Sequence, residues 1–464
     1  MTSTPYAFYL PENPSFTILD SAIASAQFGY SACDDPGDGT LRCQSITALQ
    51  NGELERLRGR LIEGVGYCAD AVFAAHWLER LGRVINNPQL RQVGRRIGLH
   101  TLAEGFFDDP DIPIRLYRDV ESGEFLNNLE VRPGYIELGH IGRVAHELAQ
   151  WHDLLEDKQL EERVRAIVIR TARWLIEAER CANGWYPRRS TPDRRVYRLA
   201  TDAFGPASID EEAPPTDPVF DRSATGTLIV QLLADVSRRG WLDAKDTLQS
   251  DTTAFVNGGG FFGSINTDTE DAQENVAYAM AFQAMHAAAQ VLQEPSLTEF
   301  AYEVCLGGLR QFEMTTDVNG LETKGLLWME PSWNSACMWE IAEAAQAYLV
   351  AYGETRDRTH VMKALTMLRG MAKHHHGPLG MLTEAVDWDG HSVVTRHFDG
   401  QRYSDIRETH PFLNNLHVLE PTVTYLERFA LRAPGGDGVG SAFYDLERNR
   451  LGPTEVGILS WLPT

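Results

Sequence analysis

The sequence predicts an all-α fold, a single closed toroid of about six helical hairpins with its long loops gathered at one end. Three observations carry that expectation. Apolar periodicity marks helices along most of the chain, strand-like alternation is scarce, and short and long connections alternate.

The periodic segments lie near 56–82, 88–105, 134–155, 159–180, 223–238, 242–256, 270–293, 297–314, 333–353, 358–374 and 412–431. Within pairs the links are very short: GRVINN at 82–87, EDK at 156–158, RRG at 238–240, EPS at 294–296 and GETRD at 353–357. Between pairs they are long, spanning 106–133, 181–222, 257–269, 315–332 and 375–411, and rich in Gly, Pro, aromatic and charged residues. A short link between two long helices forces an antiparallel hairpin. Every short loop therefore falls at one end of the assembly and every long loop at the other.

The first helix of each pair is apolar or small on most faces, as in AYAMAFQAMHAAAQV at 277–291, whereas EERVRAIVIRTARWLIEAE at 161–179 carries a charged stripe. First helices should form an inner ring and second helices an outer one. Residues 412–431 supply a sixth inner helix, and the N-terminal segment 1–52, through FTILDSAIASAQF, is the candidate to close the ring. Residues 432–464 read as an irregular tail on one domain that spans 1–464.

Composition narrows the function. Against 42 Lys and Arg stand 65 Asp and Glu, a formal charge of −23, which disfavours generic nucleic-acid or anionic-membrane binding. No apolar run approaches the roughly 18 residues that span a bilayer, and the first residues lack a basic and apolar leader pattern. A soluble, cytoplasmic protein is expected. The six cysteines form neither a disulfide framework nor a zinc-ligand spacing, although Cys33 and Cys43 flank one polar loop. The pattern calls for no cofactor and no metal.

The long loops carry the candidate chemistry. Asp108, Asp109 and Asp111 are hard oxygen ligands in principle, but Pro110 and Pro113 bracket them and supply turn chemistry alone. WYPRRSTPDRRVYR offers Arg188 and Arg189 as guanidinium forks for an anionic sugar, beside Trp185 and Tyr186 as stacking surfaces. Ion pairing with the protein's own carboxylates is the plainer role for those arginines. LLWMEPSWNSACMWE gathers Trp328, Glu330, Trp333 and Asn334, and a carboxyl shielded by tryptophan suits a general acid.

The last long loop brings Asp387 and Trp388 before His410, and His410, Asn414 and His417 are spaced to share one helical face. Positioned histidines shuttle protons near neutral pH. His374, His375 and His376 read instead as a polar, partly cationic helix end.

The hairpin pattern, the turns NGWYP (183–187) and GGGFFG (258–263), and WEIAEAAQAYLVAYGETRD (339–357) together resemble the (α/α)-toroid superfamily of carbohydrate-active enzymes. That superfamily includes glycoside hydrolases, polysaccharide lyases and sugar epimerases. ETHPFLNNLHVLEP (408–421) resembles the histidine-bearing inner helix of N-acylglucosamine 2-epimerase-like proteins. The resemblance implies an (α/α)6-type barrel acting on an oligosaccharide or small sugar.

Hydrolysis or β-elimination is the leading expectation, with Glu330 and Asp387 as acids, or a histidine as base with arginine on a uronate. Epimerisation by His410 and His417 is the alternative. A non-catalytic binding toroid would leave its acids and histidines solvated and dispersed. A terpenoid cyclase would need an apolar cavity with Asp108, Asp109 and Asp111 over a metal, and arginines converging with carboxylates inside the cavity would count against it.

Overall fold

The computed structural model describes residues 17–31, 33–43, 47–50, 53–56, 65–119, 122–126, 135–197, 221–263, 272–317, 322–331, 335–376, 381–382, 385–387, 408–409, 413–433 and 442–453. Its helices are α1 (Ile18–Ser31), α2 (Cys68–Val84), α3 (Pro88–Ala103), α4 (Leu138–His152), α5 (Lys158–Ile176), α6 (Thr225–Arg238), α7 (Lys245–Asn257) and α8 (Asn275–Leu292). They continue with α9 (Pro295–Phe300), α10 (Met338–Thr355), α11 (Arg358–Lys373), α12 (Leu413–Leu416) and α13 (Leu419–Arg428).

Packing closes a ring. Helix α2 touches α4, α4 touches α6, and the series runs on through α8, α10 and α13 back to α2. Behind it α3 backs α2, α5 backs α4, and α11 backs α10, while α7 packs on α6 and α8. Helix α1 packs on α11, α12 and α13. The sequence explains the two layers. Fourteen of the eighteen residues of α8 are buried, against six of nineteen in α5, so α8 is enclosed and α5 keeps a wet face.

The short turns are built by caps. Asn87 accepts from the backbone N–H of Leu90 and Pro88 opens α3; Asp157 and Asp357 cap α5 and α11 in the same way. Gln293 and Arg356 take left-handed backbone at the ends of α8 and α10, which turns the chain sharply into the next helix. At Gly94 an added Cβ would stand 2.5 Å from the backbone N of Glu79, so α2 and α3 approach as closely as they do because no side chain intervenes.

Four sequence expectations change. Of the helix expected from residue 56, the described part 65–67 is a strand paired with Tyr117–Asp119, and α2 begins only at Cys68. The helix expected over 297–314 is α-helical to Phe300, widens to a π-helical turn over Ala301–Leu306 and tightens to a 3-10 turn over Leu309–Phe312. There Gly308 lies against the Tyr278 ring, where a Cβ would stand 2.3 Å away. The last inner helix is interrupted by a turn at His417 and Val418. Beyond it, Leu431–Ala433, Ala442–Tyr444 and Arg450–Gly452 form a three-stranded antiparallel sheet within the stretch read as an irregular tail.

Cys33 pairs opposite Cys43 across two short strands, and both are free thiols. No helix among the described residues is long and apolar enough to cross a membrane.

Candidate active site

Inner helices place their axial residues every third or fourth position, so charged side chains among apolar neighbours stack in layers around the axis. One layer joins three elements. Arg143 on α4 donates through Nη2 to Oε1 of Glu343 on α10 at 2.6 Å, and the same nitrogen stands 2.6 Å from Nε2 of His417. His417 Nε2 lies 3.6 Å from that Glu343 oxygen. The ring of Phe73 stacks on His417 at 4.4 Å, and Trp339 meets it edge-on at 5.7 Å. Gln283 of α8 donates to the second Glu343 oxygen at 3.4 Å.

The electrostatics follow from this packing. Burial pushes the Glu343 carboxyl upward, but Arg143 and His417 outweigh it and hold Glu343 at about 2. Glu343 is therefore ionised at neutral pH. Asp70, in the first turn of α2, is only 2% exposed, and burial drives its carboxyl well above the usual range against the opposing pull of Arg143. The two carboxyls are thus driven in opposite directions, Glu343 toward its ionised form and Asp70 toward its neutral one. Arg143, with 14% of its side chain exposed, is more open to a ligand than Glu343 at 5% or His417 at 2%.

Toward the long-loop end, Asn275 at the head of α8 donates to Glu340 at 2.7 Å and to the carbonyl of Trp328 at 3.0 Å. Tyr117 donates to Glu137 at 2.6 Å, and His140 stands 3.5 Å from the same carboxylate oxygen. Burial raises Glu137, yet His140, Tyr117 and Arg189 together leave it below the ordinary carboxylate range. The Arg189 guanidinium also lies over the Tyr135 ring at 5.0 Å. Both Arg188 and Arg189 are buried.

Of the residues singled out in the sequence, His417 enters the axial cluster. Glu330 is fully buried next to Met329, whose carbonyl accepts from the backbone N–H of Asn275. Trp185 and Tyr186 are corrections. Both are fully buried in the outer layer, where the Trp185 indole donates to the Ser223 carbonyl and packs against Phe255 and Phe261. The Tyr186 hydroxyl bonds Asp251 and Arg180, so neither ring offers a face to a sugar. Trp328 is half-buried against Phe312, with 4.7 Å between ring centroids.

His410, Trp333, Asn334 and Trp388 lie outside the described residues, and only the backbone of Asp387 and Asn414 is described. Asp109 organises a turn, accepting from the backbone N–H groups of Asp111 and Ile112 and pairing with Arg115 at 2.7 Å. His374 is buried and held at about 4 chiefly by desolvation, so it is neutral rather than a cationic helix end. His375 lies between the hydroxyls of Ser21 and Ser25.

Sequence reasoning missed Asp70, Arg143 and Glu343. Each shares its helix with other charged residues, such as Glu79 and Arg80 on α2, Glu147 on α4 and Glu340 on α10, so residue type alone did not single it out.

No family model matches the chain, and no curated protein matches it in sequence. Among solved structures it is similar to the cellobiose 2-epimerase of Bacillus thermoamylovorans, at 12% identity and TM-score 0.58, over 86% of this chain and 95% of that one. A D-mannose isomerase aligns at 10% identity and TM-score 0.57, over 91% and 98% of the two chains. A GH76 α-mannanase of Bacteroides thetaiotaomicron aligns at 9% identity and TM-score 0.53, again over 91% and 98%. At such identities the likeness is one of fold. The chain is an (α/α)6-type toroid.

Proposed function

We propose that this protein is a sugar-transforming enzyme that moves a proton at the carbon next to a carbonyl, as an epimerase or isomerase does. The observation that carries the reading is the convergence of Arg143, Glu343 and His417 on the ring axis. A dispersed, solvated set would have suited a binding toroid. Arginines meeting carboxylates inside the ring also suit a terpenoid cyclase poorly.

Chemistry follows from the donor set. Guanidinium has no acceptor, so when Arg143 donates to Nε2 of His417 that nitrogen presents its lone pair, and when the ring is protonated the same nitrogen can donate only toward Glu343, 3.6 Å away. A substrate carbonyl oxygen that took over the Arg143 N–H would free that lone pair to accept the C2 proton, while Arg143 stabilised the developing oxyanion. Return of a proton to the opposite face of C2 gives an epimer, and return to C1 gives the isomer. Glu343 keeps Arg143 and His417 in register. His410, Asp387, Asn414, Trp333, Asn334, Trp388 and Trp328 remain candidates for the partner acid–base group and the sugar-contacting surface. The folds of two sugar-interconverting enzymes among the neighbours support the reading.

Hydrolysis is the second reading, favoured by one observation: burial pushes the Asp70 carboxyl upward while Arg143 holds Glu343 ionised, so two carboxyls that both feel Arg143 are driven in opposite directions, as an acid–base pair requires. Glu330 and Asp387 stay as further candidate acids for it.

One experiment separates the two. The protein is incubated in D2O with aldoses, ketoses, disaccharides and uronate oligosaccharides, and followed by proton NMR together with reducing-end release and absorbance of unsaturated products. Loss of the C2 proton signal with a new epimer or ketose, absent in His417→Asn, is the expected result. Reducing-end release without C2 exchange would overturn the proton-transfer reading in favour of hydrolysis, and new unsaturation would overturn it in favour of elimination.

A further inference from the structure

One turn below the Arg143 layer, a cavity of about 320 Å³ occupies the axis at the opposite, short-loop end of the ring. Its walls come from the C-terminal halves of the inner helices, with Arg80, Gln150, Gln290 and Arg428 near its outer rim. Deeper lie His76, Glu147, Gln283, Gln346 and Glu420.

This cavity is furnished with polar groups that have unspent capacity. His76 bonds Glu147 through Nδ1 at 2.8 Å, while its Nε2, fully buried, has no hydrogen-bond partner. Gln346 is 9% exposed and its Oε1 has no partner. Each unpaired buried group carries a desolvation penalty that a complementary ligand would remove. Trp77, Ala234, Ala287 and Val291 add apolar surface to the lining, the kind that carbohydrate C–H groups cover.

Charge selects the ligand. Glu147 is matched by His76, and Asp235 by Arg238 at 2.6 Å and Arg239 at 3.0 Å. Glu420 is pushed upward by burial and by the neighbouring Glu343 and Glu147, toward its neutral acid form. The interior is furnished chiefly by amides and imidazoles, while Arg80, Glu354 and Arg428 put charge of both signs on the lining. Neither sign of charge dominates the lining, whereas successive hydroxyls match its alternating donors and acceptors.

We infer that the short-loop cavity is a binding site for a neutral polyhydroxylated molecule of monosaccharide size, separate from the reaction at His417. The inference goes beyond the proposed reaction and stands without it.

Acyclic alditols test it, because without a carbonyl they undergo no proton transfer at C2. D-glucitol binding is followed by ligand-observed NMR on the wild-type chain and on His417→Asn, Gln346→Leu and Ala287→Leu. Saturable binding is expected in the first two alike, weakened at least about tenfold in the last two. Turnover of any sugar substrate should stay within about twofold of wild type in Gln346→Leu and Ala287→Leu. Should Ala287→Leu fail to fold, Gln290→Met alters the same wall. Absence of saturable alditol binding would mean that the cavity holds water only and would overturn the inference. Binding indifferent to Gln346→Leu and Ala287→Leu, or a preference for spermidine over D-glucitol, would overturn it as well. Loss of turnover in His417→Asn with alditol binding intact separates failure at one site from failure at the other.

Discussion

Arg143 Nη2 and His417 Nε2 stand 2.6 Å apart across the ring axis, joining α4 to the turn that precedes α13. Because guanidinium only donates, this contact fixes which imidazole nitrogen carries the lone pair and aims it at the position where Arg143 would hold an oxygen. The pair is thus both a tautomer lock and a template for a bound carbonyl.

Replacing His417 with Asn keeps a polar side chain but removes the titratable ring. On the proton-transfer reading, kcat falls about 10²–10⁴-fold, the usual contribution of a positioned acid–base group. Steady-state assays on the substrate identified by C2 exchange measure this, with circular dichroism checking that the fold survives. A variant within a few-fold of wild type would remove His417 from the reaction.

Arg143→Met leaves the buried Glu343 carboxylate without its strongest partner. A loss of about 3–5 kcal/mol in urea unfolding is expected, and the Arg143→Met/Glu343→Gln double variant should recover a substantial part of it. A double variant no more stable than Arg143→Met would mean that the charge pair does not explain the loss.

Glu343 also sets an acid limit. Its folded value of about 2 lies below the ordinary 4.5, so its stabilisation is complete above about pH 4.5 and fades as pH falls toward 2. The gap corresponds to roughly 3 kcal/mol. Chemical denaturation from pH 6 to 2 should show the stability difference between wild type and Glu343→Gln shrinking across that interval. A constant difference would contradict the assignment.

Asp70 acts in the opposite sense. With its folded carboxyl raised by burial, the unfolded chain ionises first, so the native state loses stability as pH rises above about 4. Asp70→Asn removes this penalty. Relative to wild type, the variant should gain stability between pH 4 and 8, read from melting temperatures in matched buffers; a flat difference would mean that Asp70 is ionised in the fold.

Trp185→Ala probes the outer layer. Deleting an indole that packs on Phe255 and Phe261 costs about 3–5 kcal/mol, while KM for the sugar stays unchanged. A raised KM at unchanged stability would restore Trp185 to the binding surface.

Loop lengths made the toroid legible before any contact was known, because GRVINN or EDK between long helices permits only a hairpin. Boundaries were less legible where the hydrophobic period continued through a change of geometry. The stretch before Cys68 looked helical yet pairs as a strand with Tyr117–Asp119, since a neighbouring edge overrode local preference. At the site, His417 stood out by residue type, whereas Asp70, Arg143 and Glu343 did not: charged residues on helices are usually solvated, and only the closed ring turns these inward. Trp185 misled for the converse reason. Its loop is long, but its ring is folded under Phe255 and Phe261.

The inner helices all run from the long-loop end to the short-loop end, so their backbone dipoles add instead of cancelling around the axis. Each contributes the equivalent of about half a positive charge at its start and half a negative one at its finish, felt mainly within the terminal turns. The molecule is polarised along its bore. Asp70 and Glu340 lie in first turns, and Arg238 and Arg428 in last turns. The buried acids Asp70 and Glu340 therefore sit where peptide N–H groups supply part of the solvation that water no longer does, and the exposed Arg238 and Arg428 answer the negative ends from the solvent side. Exchanging the two ends, acid for base, would set every one of them against the backbone that now supports it.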